Sequence, residues 1–133
     1  DYVRLMAEFE TFRRRSSEDR LNLISSAAAD TIKGLLPVLD DCERAMEILE
    51  KSSDEAAKEG TSLIYTKLMD YLKTRGLAKI EAKGEDFNTD FHEAVTQFPA
   101  PSEDMKGKVI DVVQTGYMLN GKILRYAKVV VGA

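Results

Sequence analysis

The side chains best suited to acid–base or metal chemistry are grouped around the only histidine of the chain. Asp90, His92 and Glu93 supply neighbouring oxygen and nitrogen donors, but their spacing matches no established metal-binding motif. A local turn or helix cap explains them more simply. The only cysteine, Cys42, lies on an apolar helical stripe, where a small buried side chain is a better interpretation than a nucleophile. The sequence therefore predicts neither a catalytic residue nor a metal site.

Phosphate chemistry would need a glycine-rich loop, and the sequence contains none. Its glycines after the helical region are scattered over turns and strand ends, at Gly84, Gly107, Gly116, Gly121 and Gly132. With one cysteine, one histidine and no coherent acid–base set, we expect a protein that is not an enzyme, has no cofactor and binds no nucleotide tightly by itself.

The sharpest charged feature is the run Arg13–Arg15. It can be a solvated helix face, a nucleic-acid contact or a contact for an acidic protein partner, a role that arginine serves well. Residues 1–33 carry six basic and six acidic side chains, so this segment has no net charge. Nucleic-acid binding usually requires a net-positive stripe with aromatic residues. We therefore expect no nucleic-acid partner.

The size and composition are those of a small water-soluble protein. The 133 residues include 19 basic and 23 acidic side chains, for a net charge of −4. No apolar run approaches the roughly 18 residues of a membrane span, so we expect no membrane partner. The chain begins at Asp1 inside a helical pattern, which we interpret as part of a longer protein. One cysteine precludes an intrachain disulfide and is compatible with a reducing compartment, the cytoplasm. The bacterial cytosol is favoured, with an organelle matrix as the alternative.

The first fifty residues predict helix with an apolar stripe. The stripe begins at Tyr2, Leu5, Phe9 and Phe12, stops over residues 13–20, and resumes at Leu21, Ile24, Ala28, Ile32, Leu35, Leu39, Cys42, Met46 and Leu49. Steps of three and four residues are typical of a coiled-coil surface. Gly34 and Pro37 interrupt the pattern, and there we expect a kink or break.

A second helix is predicted from the capping box Ser52–Glu55 to a left-handed stop at Gly76. Its apolar face is expected at Ala57, Gly60, Ile64, Leu68 and Tyr71, with Leu63 and Leu72 beside it. This helix can fold back on residues 35–50 but cannot also cover residues 2–32. Two helices alone make a poor core, so two such hairpins are expected to pair as a dimeric four-helix bundle.

After Gly76 the composition changes to that of a small all-β domain. Leu77–Glu81, Val109–Thr115 and Ile123–Val131 are strand-like, and the last carries apolar residues on both faces. Asn120-Gly121 is a hairpin signal that joins the last two runs, because both central residues of a type I′ turn need positive φ. The predicted fold is thus α+β, with a paired long helix (1–33), a helical hairpin (34–76) and a β domain (77–133).

Four motifs in the right order, spanning nearly the whole chain, resemble the GrpE family. Phe12–Ser16 is similar to its Asn-Leu/Tyr-Arg-Arg-Arg/Lys-Thr stretch, and Leu35–Ala45 to its Leu-Leu-Pro-Val-x-Asp…Asp/Glu-Arg-Ala segment. Phe87–Val95 resembles Phe-(Asp/Asn)-Pro-x-x-His-(Glu/Gln)-Ala-(Val/Ile). Gly116–Arg125 resembles the specific signature Gly-Tyr-x-Leu-Asn-Gly-Arg-x-(Ile/Leu)-Arg. The family's acidic N-terminal tail has no counterpart here.

This resemblance implies a co-chaperone that grips the ATPase domain of a DnaK-type chaperone as a homodimer and opens it, so that ADP leaves. The exchange factor binds the open state better than the closed state, and that differential affinity shifts the population. The implied chaperone contacts are Arg13, Ile48, Phe87, Val113, Asn120, Gly121, Lys122 and Val131. The expected dimer interface comprises Leu5, Phe9, Phe12, Leu35, Leu39, Cys42 and Met46.

Two positions depart from the family pattern. Lys122 stands where arginine is usual, which keeps the charge but loses the bidentate fork. Asn88-Thr89 lacks the usual proline, which leaves the turn before His92 less defined. The alternative hypothesis is a dimeric coiled-coil adaptor or tether without exchange activity, which explains the stripes but not the Asn120–Lys122 hairpin.

Overall fold

The computed structural model describes residues 1–133 and comprises two compact units, residues 1–34 and residues 35–133. Two helices come first, α1 (Tyr2–Glu50) and α2 (Glu55–Thr74), and six short strands follow. The fold is α+β, with a long N-terminal helix and a C-terminal region of β-sheet, as the sequence predicts. None of its helices combines the length and apolar character needed to cross a membrane.

The first unit is helical from Tyr2 onward, and its apolar stripe lies on the surface. Leu5, Phe9 and Phe12 each keep more than half of their surface exposed. The ion pair on this part of the helix contributes little to its stability. Arg4 and Glu8 form an exposed ion pair one turn apart, with 3.3 Å between Nε and Oε1, and such pairs contribute only about 0.3–0.5 kcal/mol. The exposed stripe is therefore a surface that the single chain does not bury.

Helix α1 continues through Gly34 and Pro37 to Glu50, so the chain does not break at these residues, and the kink expected there stays a prediction. Proline removes one backbone N–H and leaves the carbonyl four residues earlier without its helical partner. That carbonyl belongs to Lys33, which is exposed, so it can be hydrated instead. The buried positions around Pro37, Leu36 and Leu39, provide packing that favours a continuous helix over local propensity.

The N-cap of helix α2 lies two residues later than the sequence predicted. Its N-cap is Asp54, whose Oδ1 accepts a hydrogen bond from the N–H of Ala57 at 3.1 Å. Ser52 instead accepts from the N–H of Asp54 at 3.1 Å and shapes the preceding turn. The predicted Ser52–Glu55 capping box is therefore wrong. An aspartate at the N-cap also places a negative charge at the positive end of the helix dipole.

The buried face of α2 differs from the predicted one by a rotation about the helix axis. Met69 and Leu72 are buried, whereas Leu63, Ile64 and Tyr71 are largely exposed. Only Leu72 of the predicted apolar residues is fully enclosed, and Leu68 is half-buried. The helix therefore carries two apolar surfaces, one buried in the chain and one open to solvent.

The smaller sheet follows directly from α2. It has the order β1-β4-β5, from β1 (Leu77–Lys79), β4 (Tyr117–Leu119) and β5 (Lys122–Arg125), with antiparallel pairing throughout. The Asn120-Gly121 hairpin joins β4 to β5. The sequence predicted that this hairpin joins Val109–Thr115 to Ile123–Val131, and that prediction is wrong.

The second sheet has the order β2-β6-β3, from β2 (His92–Phe98), β3 (Val109–Gln114) and β6 (Ala127–Gly132). Strand β6 is central, parallel to β2 and antiparallel to β3. The predicted single strand Ile123–Val131 is therefore two strands, one in each sheet, separated at Tyr126. Val130 is buried as well as Ala127, Val129 and Val131, so both faces of β6 are covered, which explains why apolar residues occur on both of its faces.

The core of the β region is a small cluster around β6. Its buried members are Ala82, Val109, Ala127, Val129 and Val131, and the half-buried Ile80, Phe87 and Val112 pack against them. Val109, Ala127 and Val129 have no exposed surface. This core joins the strands β3 and β6 to the segment that leads to His92.

Candidate functional site

The Asn120-Gly121 turn is a tight hairpin fastened to the end of α2. Asn120 has φ 51° and Gly121 has φ 80°, so both central residues are left-handed, as predicted for this pair. The N–H of Asn120 donates to the carbonyl of Gly76 at 3.0 Å. Lys122, the first residue of β5, is exposed beside the turn. The fixed backbone of the hairpin thus places the charged side chain of Lys122 at the surface.

Gly76 makes this attachment possible. Its φ of 97° confirms the predicted left-handed stop of α2, and its N–H donates to the carbonyl of Lys73 at 3.0 Å. A Cβ at this position would overlap the side-chain oxygen of Asn120. Only glycine therefore satisfies both the backbone conformation and the close approach of the hairpin.

The segment before β2 is a compact turn built on Asn88 and His92. The N–H of Asn88 donates to Nδ1 of His92 at 3.1 Å, and the N–H of His92 donates to the Asn88 carbonyl at 2.9 Å. The Asn88 side chain also accepts from the N–H of Asp90 at 2.9 Å. This confirms the interpretation of His92 as part of a local turn. Asn88 caps that turn through its side chain, which offsets the missing proline at position 89.

His92 is buried and acts as a hydrogen-bond acceptor. Burial lowers the pKa of its imidazole, and the Glu85 carboxylate opposes that shift. Because Nδ1 accepts from Asn88, the neutral imidazole fits the turn, and a proton on Nδ1 would face another donor. The rings of Phe87 and His92 lie 6.0 Å apart between centroids. The histidine therefore supports the position of Phe87.

A cluster of polar side chains, which we call the polar clamp, lies where α1 meets the smaller sheet. It comprises Asp40, Glu43, Tyr65, Thr115, Tyr117 and Arg125. Arg125 donates to both carboxylate oxygens of Asp40 at 2.7 Å each. Glu43 accepts from the hydroxyls of Tyr65, Thr115 and Tyr117 at 2.9–3.3 Å. Sequence reasoning missed this site.

Burial keeps the clamp tyrosines protonated. Tyr117 has no exposed surface, and burial together with the Glu43 carboxylate raises the pKa of its hydroxyl. Burial likewise raises the pKa of Tyr65, with the Lys79 ammonium opposing the shift and Glu43 adding to it. Both hydroxyls are therefore donors to Glu43. The available sequence signals were an arginine inside an apolar strand and two acids three residues apart on one helix face.

The predicted partner contacts fall into different environments. Ile48, Val113, Asn120, Gly121 and Lys122 are exposed in the second unit, and Arg13 is exposed in the first. Phe87 is half-buried against the β core. Val131 is 7% exposed and belongs to that core, so it has almost no surface to offer a partner.

The expected dimer residues also differ in exposure. Leu5, Phe9 and Phe12 are exposed, and Leu35, Cys42 and Met46 are half-buried. Leu39 is fully buried within the chain, which leaves it no surface for a second copy. Its packing is internal to the protomer.

The geometry assembles binding surfaces on a two-sheet scaffold, with polar side chains used for positioning. No group of three or more histidine, cysteine or acidic side chains is arranged to hold a metal ion.

Comparison with known proteins identifies the family. The GrpE family model matches residues 1–133. Protein GrpE of Bacteroides fragilis is 48% identical over 132 residues, covering 98% of this chain and 68% of the relative. Protein GrpE of Porphyromonas gingivalis gives the same identity and coverage. Protein GrpE of Brachyspira hyodysenteriae is 37% identical over 134 residues, covering 98% of this chain and 66% of the relative.

The chain therefore belongs to the GrpE family of co-chaperones, which work with DnaK-type chaperones. The resemblance stated from the four sequence motifs is confirmed.

Proposed function

We propose that the chain is an adenyl-nucleotide exchange factor that binds the ATPase domain of a DnaK-type chaperone and accelerates ADP release. The observation that carries the proposal is the hairpin, where two left-handed residues and the hydrogen bond to Gly76 hold Lys122 at an exposed position. A side chain on a rigid element loses little conformational freedom on binding. The chain supplies no bond chemistry, and it acts by binding the open ATPase domain more tightly than the closed one.

The working unit in this proposal is a homodimer. Leu5, Phe9 and Phe12 leave an apolar stripe exposed on the first unit, and contiguous apolar surface of this kind is a feature of protein–protein contacts. Helix α2 also exposes Ile64 and Tyr71 on the side away from its buried face. Two copies would cover both surfaces, through paired long helices over residues 1–33 and a four-helix bundle over residues 34–76. The β region, residues 77–133, would then face the chaperone.

The proposed chaperone contacts are the exposed members of the set implied by the family. They are Arg13, Ile48, Val113, Asn120, Gly121 and Lys122, together with the half-buried Phe87. Val131 is left out because its side chain is enclosed in the β core. The proposed dimer contacts are Leu5, Phe9, Phe12, Leu35, Cys42 and Met46, without the buried Leu39.

The setting proposed for this activity is the bacterial cytosol. The relatives named above are bacterial proteins, and the single free cysteine is compatible with a reducing compartment.

Stopped-flow release of a fluorescent ADP analogue from the chaperone tests the proposal. The parent chain is expected to accelerate release, and Lys122→Ala to slow it by about fivefold or more at sub-saturating concentration, the effect of losing about 1 kcal/mol of contact. Lys122→Arg should hold or strengthen binding, because a guanidinium forms two parallel hydrogen bonds with a carboxylate. Lys83→Ala removes another exposed lysine of the β region and is the matched control.

Two results would contradict the proposal. A parent chain that binds the chaperone without changing ADP release would favour the adaptor or tether. If Lys122→Ala and Lys83→Ala both behave like the parent, the hairpin is not the element that acts on the chaperone.

A further inference from the structure

We propose that the polar clamp fixes the orientation of the smaller sheet on the helices, which makes Asp40 and Arg125 positioning residues for the hairpin that carries Lys122. The proposal rests on the exchange function for its effect on ADP release. Its structural part, that the clamp sets the orientation of the sheet, can be measured separately.

The pair Asp40–Arg125 joins α1 directly to β5. The two terminal guanidinium nitrogens of Arg125, Nη1 and Nη2, each lie 2.7 Å from a carboxylate oxygen of Asp40. The same guanidinium donates to the Thr115 carbonyl through Nε at 3.1 Å and Nη2 at 2.6 Å. Only 16% of the Arg125 side chain and 24% of the Asp40 side chain are exposed. Four hydrogen bonds from one planar group fix its orientation as well as its distance.

Glu43 extends the clamp to α2 and to two more strands of the smaller sheet. It lies one helical turn after Asp40, so both carboxylates point to the same side of α1. Its Oε1 accepts from Tyr65 on α2 at 3.1 Å and from Tyr117 on β4 at 3.3 Å, and its Oε2 accepts from Thr115 at 2.9 Å. Lys79 on β1 adds an ion pair at 3.7 Å. Two side chains of one helix thus contact both α2 and all three strands of the smaller sheet.

The chemistry of the clamp favours orientation over stability as its role. The free energy needed to remove two charges from water nearly cancels the free energy of their attraction. Apolar side chains of similar size would therefore often stabilise a protein equally well. Apolar contacts tolerate sliding and rotation, whereas a bidentate pair does not. No buried side-chain nitrogen or oxygen lacks a partner, so the network is complete and supports one arrangement.

The clamp is close enough to the hairpin to control it. Arg125 ends the four-residue strand that Lys122 begins, a separation of about 10 Å along a strand. On the other side, Gly76 and Asn120 attach the turn to α2. The hairpin is therefore held at the clamp, at Gly76 and through the pairing of β4 with β1, and loosening the clamp removes the one attachment that ties β5 to α1.

The test compares Asp40→Asn and Arg125→Lys with the control Asp41→Asn. Asp41 is the adjacent carboxylate, but its pair with Arg44 is exposed, with 3.0 Å between Oδ1 and Nη2. Arg125→Lys keeps the charge and loses the fork. Orientation is measured by the distance distribution between spin labels at the exposed positions 47 and 78, on α1 and β1. The labelled chain carries Cys42→Ser and is diluted with unlabelled parent so that only distances within one chain are seen.

Both clamp variants are expected to broaden the distance distribution and to lower the plateau of ADP release at saturating co-chaperone by about twofold to thirtyfold. The double variant should show less than the product of the two single effects, because the residues act as one pair. Asp41→Asn should change neither quantity. A role in stability alone would reduce the folded fraction, which shifts the half-saturating concentration and leaves the plateau unchanged.

Three outcomes would overturn the proposal: a distribution as narrow as the parent's, a parent-like plateau despite a broadened distribution, or an equal effect of Asp41→Asn. If Asp40→Asn does not fold, Thr115→Val removes one donor to Glu43 without removing a charge and is judged by the same two readouts. A parent that fails to accelerate ADP release overturns the exchange function instead, and the label distances then decide the structural part on their own.

Discussion

The substitution Gly76→Ala tests how the hairpin is attached to α2. The glycine has φ 97° and ends the helix, and a Cβ there would overlap the side-chain oxygen of Asn120. Alanine therefore meets two separate penalties, one from the backbone conformation and one from the contact. Replacing Asn120 by glycine removes the contact and keeps the backbone bond from residue 120 to the Gly76 carbonyl, so the two penalties can be separated.

The expected magnitudes follow from this geometry. A left-handed conformation costs a non-glycine residue about 1–2 kcal/mol. Asn120 is exposed, so its amide can turn away from the new methyl group at the cost of an unfavourable rotamer, about 0.5–1.5 kcal/mol. Gly76→Ala should therefore lower the free energy of unfolding by about 1.5–3.5 kcal/mol in the parent. In the Asn120→Gly background the loss should be only about 1–2 kcal/mol.

Urea unfolding of the four proteins of this double-mutant cycle gives the coupling energy directly. All four are compared at one chain concentration, because the proposed dimerisation would make stability depend on concentration. A coupling of about 0.5–1.5 kcal/mol is expected. Equal losses in the two backgrounds would refute the close approach of the hairpin, and a loss below about 0.5 kcal/mol in both would also refute the left-handed stop.

Three further predictions follow from burial and exposure. Burial lowers the pKa of His92, so the unfolded chain binds this proton more readily, and stability should fall as the pH drops below about 6.5 until the folded imidazole is protonated too. His92→Asn, whose amide oxygen can accept from the N–H of Asn88, should flatten that fall in urea titrations, and an unchanged slope would contradict the assignment. Leu36→Ala, at a position that is 1% exposed, should cost about 2–5 kcal/mol. Val38→Ala at an exposed position should cost about 0.5 kcal/mol or less in the same titration, and equal costs would contradict the packing. Phe9→Glu should dissociate the proposed homodimer in sedimentation velocity at micromolar concentration, and a parent that sediments as a monomer would disprove the dimer.

Features that depend on a few neighbouring residues could be predicted from the sequence. The Asn120-Gly121 turn and the stop at Gly76 both follow from backbone conformations that these residue types favour. The helical stripe at the N-terminus follows from its period. Competition between local signals was harder to judge: the serine at position 52 looked like an N-cap, but the aspartate two residues later occupies that position.

Features that depend on distant residues could not be predicted. Arg125 is separated from Asp40 by 85 residues, and neither residue type nor spacing indicates the pairing. The division of the last apolar run into two strands has a similar origin. Tyr126 marks the point where the chain leaves one sheet and enters the other, and the run contains neither glycine nor proline there. The strands that pair with each part, β4 with β5 and both β2 and β3 with β6, decide the division.

Exposure in the structure also changes which family positions can contact the chaperone. Val113 and Val131 are both valines of the larger sheet, and the resemblance implied the same role for each. Val113 lies on the edge strand β3 and is exposed, whereas Val131 lies on the central strand β6 and packs in the core. A substitution at Val131 would therefore weaken the proposed chaperone binding only by disturbing the β core, while a substitution at Val113 would change the exposed surface itself. Loss of exchange activity at Val131 alone is thus no evidence for a contact, and the two positions have to be compared at equal folded fraction.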